Sequence, residues 1–154
     1  MDTQLVETIL RLGSAAAVGM IVGINRDLMN KPMGMRTLGL VALGAAVVSL
    51  AGIEFRDLAA HPDALSRVVQ GIIQGIMAGI SFIGAGVILR DPHAHHVEGL
   101  TTAATVWVTA ALGIACALAA WHIVAVGLAF VLILLVGVAW LENRFSRRMP
   151  DDPQ

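Results

Sequence analysis

Charge is what this chain most lacks: Asp, Glu, Lys and Arg make up 14% of its 154 residues, against about 25% in soluble domains. Hydrophobic residues take 57%, and the mean hydropathy is +0.80. That shortage excludes an ordinary water-soluble globule and points to a chain dissolved in lipid. A net charge of -1 excludes the basic surface that nucleic acid requires, because the few Lys and Arg are short punctuation between apolar runs. The one cysteine, Cys116, sits in an apolar segment where no intramolecular disulfide is open to it, so packing is its expected role. A single domain is expected at this length.

Catalytic apparatus is also missing. Ser81 in "GISFIGAG" lacks the second glycine of a nucleophile elbow, and no histidine stands in an apolar run to serve as its base. No enzymatic activity and no cofactor are expected. His93, His95 and His96 in "RDPHAHHVEG" have the chemistry to bind a transition metal with Asp91 or Glu98, but a solvated polar loop is the preferred reading. His61 and His122 read as caps outside the apolar runs. Nor do the apolar runs carry the chain of acids usual in proton-coupled transport. Backbone carbonyls still leave ion passage open as an alternative.

What is there is a series of apolar runs long enough to cross hydrocarbon, which takes about 20 residues of helix. Five are expected: Leu5 to Ile24, Leu38 to Ile53, Val68 to Leu89, Leu100 to Ala119 and Ile123 to Leu141. The first is expected to remain as a helix and not to be cleaved as a leader, since Asp2 and Glu7 stand where a basic flank belongs and the run continues to Ile24. The second is short, about 26 Å at 1.5 Å per residue, so Arg36 and Arg56 are expected to snorkel. The predicted class is an all-α, polytopic helical bundle, with residues 1–142 in the membrane and 143–154 as a short tail. Lys and Arg decide its orientation. With the N-terminus outside, Arg26, Lys31, Arg36, Arg90, Arg144, Arg147 and Arg148 face the cytoplasm, with the C-terminus on the same side as them.

Helices in lipid associate through close backbone approach at small residues. Ala15, Gly19 and Gly23 recur every four residues in the first run, Gly71, Gly75 and Gly79 in the third, and Gly113 and Ala117 in the fourth. Packing faces are expected there. Thr101, Thr105 and Thr109 make a polar edge with the reach to bond across to a neighbour, and Gln70 and Gln74 sit beside the third stripe, placed to bridge helices. Arg11 is costly inside a membrane, about 2.5 to 3.5 kcal/mol at a helix centre. Glu7, one turn earlier, is its nearest partner, and both a structural pair and an ion contact stay open.

Three ordered motifs, "GINRDLMNKPMGMRTLGLVALGAA", "GIMAGISFIGAGVILR" and "VEGLTTAATVWVTAALGIACALA", resemble the MgtC/SapB family of bacterial inner-membrane proteins across about Arg11 to Ala119. The resemblance implies a multi-pass, non-enzymatic protein linked to acclimation to low magnesium and, in pathogens, to survival in host cells. Some members look like regulators that contact other membrane proteins, such as ATP synthase. The loop motif falls on Arg26, Asp27, Lys31, Pro32, Gly34, Arg36 and Thr37. The third-span motif falls on Gly79, Phe82, Gly84, Gly86 and Val87, and the fourth on Gly99 to Ala104, Trp107 and Gly113. Family members usually have glutamate where Asn25 stands and a second acid where Asp27 stands. Many also carry a soluble domain after the fifth span, whereas this sequence is expected to be a short form.

The leading expectation is therefore a regulator that binds a membrane-protein partner through a cytoplasmic face of Arg26, Asp27, Lys31, Arg36, Thr37, Thr101 and Thr102, with Met29, Met33 and Met35 making that face amphipathic. Glu7, Arg11 and Gln74 are its intramembrane polar residues, and Gly71, Gly75, Gly79, Gly84 and Gly86 its packing residues. The alternatives are a magnesium or other ion path through Glu7, Arg11, Asp27 and Glu98, and a homo-oligomer held by the glycine stripes. Lipid is the surrounding partner in each case.

Overall fold

The computed structural model describes residues 3–54, 62–91 and 96–138. Helix α1 runs Thr3–Leu28, α2 Met35–Ile53, α3 Pro62–Val87, α4 Leu100–Ala117 and α5 Trp121–Leu132, the last continuing as π-helix over Ile133–Val138. All five spans are long and apolar enough to cross a membrane. They match the five expected runs, with α1 and α3 extended by their polar ends, where helix continues into the interfacial region.

The hydroxyls along these segments find partners inside their own helices. Thr8, Ser49, Ser81, Thr105 and Thr109 each donate to the carbonyl four residues back, at 2.7 to 3.0 Å. Each polar group is thereby satisfied within its own segment. Thr105 and Thr109 consequently do not bond across to another helix, as their position on one edge had suggested.

Small residues set the packing. A Cβ at Gly19 would collide with the Leu38 carbonyl oxygen and lie 2.9 Å from the Gly39 Cα; one at Gly23 would strike the Met35 backbone; one at Gly113 would strike the Ala42 backbone. The α1 stripe thus packs on α2, and α2 in turn packs on α4. The pairs Gly19 with Leu38 and Gly23 with Met35 run antiparallel, as do Arg26 with Thr102 and Arg11 with Ala117 between α1 and α4. The core between these three helices includes Val22, Leu38, Val106 and Cys116, each fully buried.

Helix α3 lies outside this core. A Cβ at Gly71, Gly75, Gly79 or Gly86 would meet nothing within 4 Å. Among the described residues, the glycine faces of the expected packing stripe therefore have no neighbour within 4 Å of their Cβ positions. Only Gly84 is buried, with its Cβ position 3.5 Å from the Ala103 Cβ of α4. Outward, Leu40, Phe82, Val126, Phe130 and Leu134 are all more than half exposed, a surface suited to acyl chains rather than water.

Between α3 and α4 two short strands, β1 (Leu89–Asp91) and β2 (His96–Glu98), pair antiparallel with Arg90 opposite Val97. This segment had been expected to be a solvated polar loop, with no strand pairing foreseen in it. The short connection instead lets the backbone satisfy itself in a hairpin as it leaves the membrane. Gly99 follows at φ +91°, where a Cβ would strike the Val87 carbonyl, a conformation and a closeness that only glycine accepts.

Candidate functional site

Two polar clusters stand at opposite ends of α1. At the first, α1 ends and the chain turns back through Met29 to Gly34. The amides of Met29, Asn30 and Lys31 return to the carbonyls of Asn25, Asp27 and Arg26 at 3.2, 3.1 and 2.9 Å, satisfying groups that a helix end leaves open. Asn30 (φ 53°) and Met33 (φ 66°) take the left-handed conformation to make the reversal. The Asp27 carboxylate accepts the Met35 amide at 2.9 Å. It thereby caps α2 from another helix, because the N-cap residue, Gly34, has no side chain to do so. Gly34 leaves room for that cap, since a Cβ there would strike the carboxylate where it now sits.

Beneath this turn lies Arg26, only 4% exposed, with Nη2 donating to the Thr102 hydroxyl at the start of α4. Its Nε, and Oδ1 of the neighbouring Asn25, are buried with no partner among the described residues. Of the expected contact face, Asp27, Lys31, Arg36, Thr37 and Thr101 are exposed, whereas Arg26 and Thr102 are buried. Those two are a bond between α1 and α4 rather than surface. The signal was in the spacing: Arg26 continues the Ala15, Gly19, Gly23 stripe, and that stripe faces inward. Met33 is also half-buried against the core, leaving Met29 and Met35 exposed.

At the other end Arg11 pairs with Glu7 and donates from Nη1 to the Ala117 carbonyl at 2.8 Å, capping the last turn of α4. Both residues line a cavity of about 390 Å³ that also contains Glu54, at the end of α2. Gln74 is exposed on α3, away from both clusters. The inner face of α1 between the two ends is Ala15, Val18, Gly19, Val22 and Gly23, all buried. No polar side chain on that face joins Glu7 and Asp27, which stand about 30 Å apart along the helix at 1.5 Å per residue. No cluster of three metal-ligating side chains occurs among the described residues. His61, His93 and His95 lie outside those residues, as does the tail from 139 onward.

The MgtC family model matches residues 12–144, the stretch that holds the basic reversal after the first span, the glycine-rich third span and the threonine-led fourth. This chain belongs to the MgtC family. It is a multi-pass protein of the bacterial inner membrane. SrpB of Synechococcus elongatus is 40% identical over 151 residues, covering 89% of this chain and 81% of SrpB. SapB of Bacillus subtilis is 33% identical over 143 residues, 91% of this chain and 60% of SapB. MgtC of Salmonella typhimurium is 39% identical over 110 residues, 71% of this chain and 43% of MgtC. The chain therefore spans less than two thirds of the latter two relatives. No solved structure matches it. The matched range includes the Asp27-capped, Arg26-anchored reversal and the Gly99 turn leading into Thr102.

Proposed function

We propose that this protein is a non-enzymatic regulator that engages a membrane-protein partner through its loop end, in the service of low-magnesium acclimation or virulence as the family resemblance implies. The supporting observation is the double anchoring of the first reversal. Asp27 ties it to α2, and Arg26 beneath it ties α1 to α4, so Lys31 and Arg36 are presented on a rigid base. A merely topological anchor needs the positive charges but no fixed shape. Preorganised charge on a helix-borne turn suits selective contact with an acidic partner, since little ordering is left to do on binding. The same reading places this face in the cytoplasm, on the side favoured by Lys and Arg.

Ion passage has less support. Glu7 and Asp27 stand at opposite ends, and between them helices touch backbone to backbone. Magnesium holds its waters and needs clustered oxygen ligands. Affinity capture in detergent with Lys31→Ala and Arg36→Ala combined tests the reading. Loss of specific partners that the wild type retains is expected; an unchanged partner set overturns it. Magnesium flux into dye-loaded liposomes above that of empty ones would favour transport instead. Reporters fused at Met1 and after Gln154 are expected to light on opposite sides of the membrane.

A further inference from the structure

Helix α3 carries a second pattern laid across its glycine stripe. Gly71, Gln74, Ala78, Ser81 and Ala85 follow one another at alternating steps of three and four residues, the spacing that keeps one seam of a helix turned towards another helix. All five are exposed. Ile76 and Ile80, on the other side of α3, are the residues packed against Ala45, Ala110 and Ile114, so the seam faces away from the bundle. Four of its members are small, and the Ser81 hydroxyl is already given to the Met77 carbonyl at 2.8 Å. A second backbone is therefore able to come close along about 21 Å of helix. Gln74 says what that second backbone should carry. It stands seven residues past Arg67, the last charge before Arg90, about 10 Å further along the axis. Its carboxamide lies among acyl chains, which offer no hydrogen bond, and no side-chain partner for it occurs among the described residues. A carboxamide donates and accepts at once, so its natural complement is another carboxamide. Copies of one chain insert with one orientation, which brings their Gln74 residues to the same depth when their α3 helices lie side by side.

We propose that two copies of this chain pair in the membrane through the Gly71 to Ala85 seam of α3, parallel and related by a twofold axis, with the two Gln74 carboxamides bonded to each other. The small members allow the approach, and the amides select the partner and fix the register, as a single polar residue does in the seam of a coiled coil. Gly75 and Gly79 then fall to one side of the contact, so the seam and not the four-residue glycine stripe is the interface. The pairing does not rest on the partner read at the loop end.

Disulfide trapping of the full chain in liposomes, at a low ratio of protein to lipid, reads both the pairing and its face. Ala78→Cys is expected to give a covalent dimer on oxidation. Gly79→Cys sits in open space too, but about 100° round the helix, and is expected to stay monomeric. The wild type is the blank, its Cys116 being fully buried. Gln74→Leu in the Ala78→Cys chain should weaken the dimer about tenfold, the worth of one hydrogen bond between helices in lipid, and Gln74→Asn should keep most of it. Native mass spectrometry of the wild type is expected to count two copies. A chain that stays monomeric overturns the proposal and leaves the seam to lipid or to another protein. A dimer trapped through position 79 and not 78, or one as tight with Gln74→Leu, overturns it as well. Thermal melting in detergent checks that the variants are folded, and the wild-type count with the Ala78→Cys trap decides the matter if Gln74→Leu is not.

Discussion

Helices α4 and α3 carry the same kind of pattern and reach opposite ends. Both repeat small residues every four positions. In α4 the repeat becomes contact, with Gly113 against the α2 backbone and Thr102, Val106, Thr109 and Ala110 buried. In α3 it becomes open surface, with the Cβ positions of Gly71, Gly75 and Gly79 meeting nothing within 4 Å among the described residues. Lipid explains how both are stable, since hydrocarbon solvates an uncovered glycine face about as readily as a covered one. A smooth stripe states that a backbone is able to approach. What draws α4 inward is the further need of polar groups for partners: Arg26 finds Thr102, and the Ala117 carbonyl finds Arg11. On α3, Gln70, Gln74 and Ser81 are exposed and, among the described residues, tie it to no neighbour in this way.

The contrast breaks most visibly with leucine. Gly113→Leu must push α2 away from backbone contact and is expected to cost about 3 kcal/mol or more, whereas Gly75→Leu is expected to stay within about 0.5 kcal/mol of wild type. Unfolding by sodium dodecyl sulfate in bicelles measures both. An equal cost at Gly75 would mean that another chain covers α3, and the comparison would then be one of inner and outer interfaces. Next in size is Thr102→Val, which leaves the buried Arg26 guanidinium without its hydroxyl acceptor. A loss of about 1 to 3 kcal/mol is expected. A double-mutant cycle with Arg26→Met should show coupling of about 1 kcal/mol. Zero coupling would mean that polar satisfaction is not what holds α4 in place.

The five spans were legible because hydrocarbon imposes length and composition on each segment separately. The Glu7 to Arg11 pair was legible for a similar reason, since both residues lie one turn apart on one helix. Burial of Arg26 was not read, although it continues the Gly19 and Gly23 stripe, because positive charge near a membrane end serves equally as an anchor outside. Which side it takes depends on α4 lying close enough to offer the Thr102 hydroxyl. The Asp27 cap on Met35 was beyond local pattern too, as it joins the end of one helix to the start of the next. The open face of α3 could not be read at all, since covered and uncovered glycines have the same spacing. Cys116 lies fully buried in the core, in keeping with the packing role expected of it, and is therefore a poor handle for cross-linking.

Gly84 separates the two explanations on a single helix. It is the member of the α3 series that meets α4, yet its Cβ position stands 3.5 Å from the Ala103 Cβ, an ordinary contact rather than a collision. Alanine there adds a methyl that already has room and removes the backbone freedom of glycine in a helix. Gly84→Ala is therefore expected to be neutral or to stabilise by about 0.5 kcal/mol. Gly84→Leu has no such room and should loosen α3 from α4 while leaving α1, α2 and α4 assembled, seen as selective loss of hydrogen-exchange protection in 62–87. Destabilisation by alanine alone would show that α3 approaches α4 more closely than this spacing, and that the inner and outer helices differ less in their packing than their burial implies.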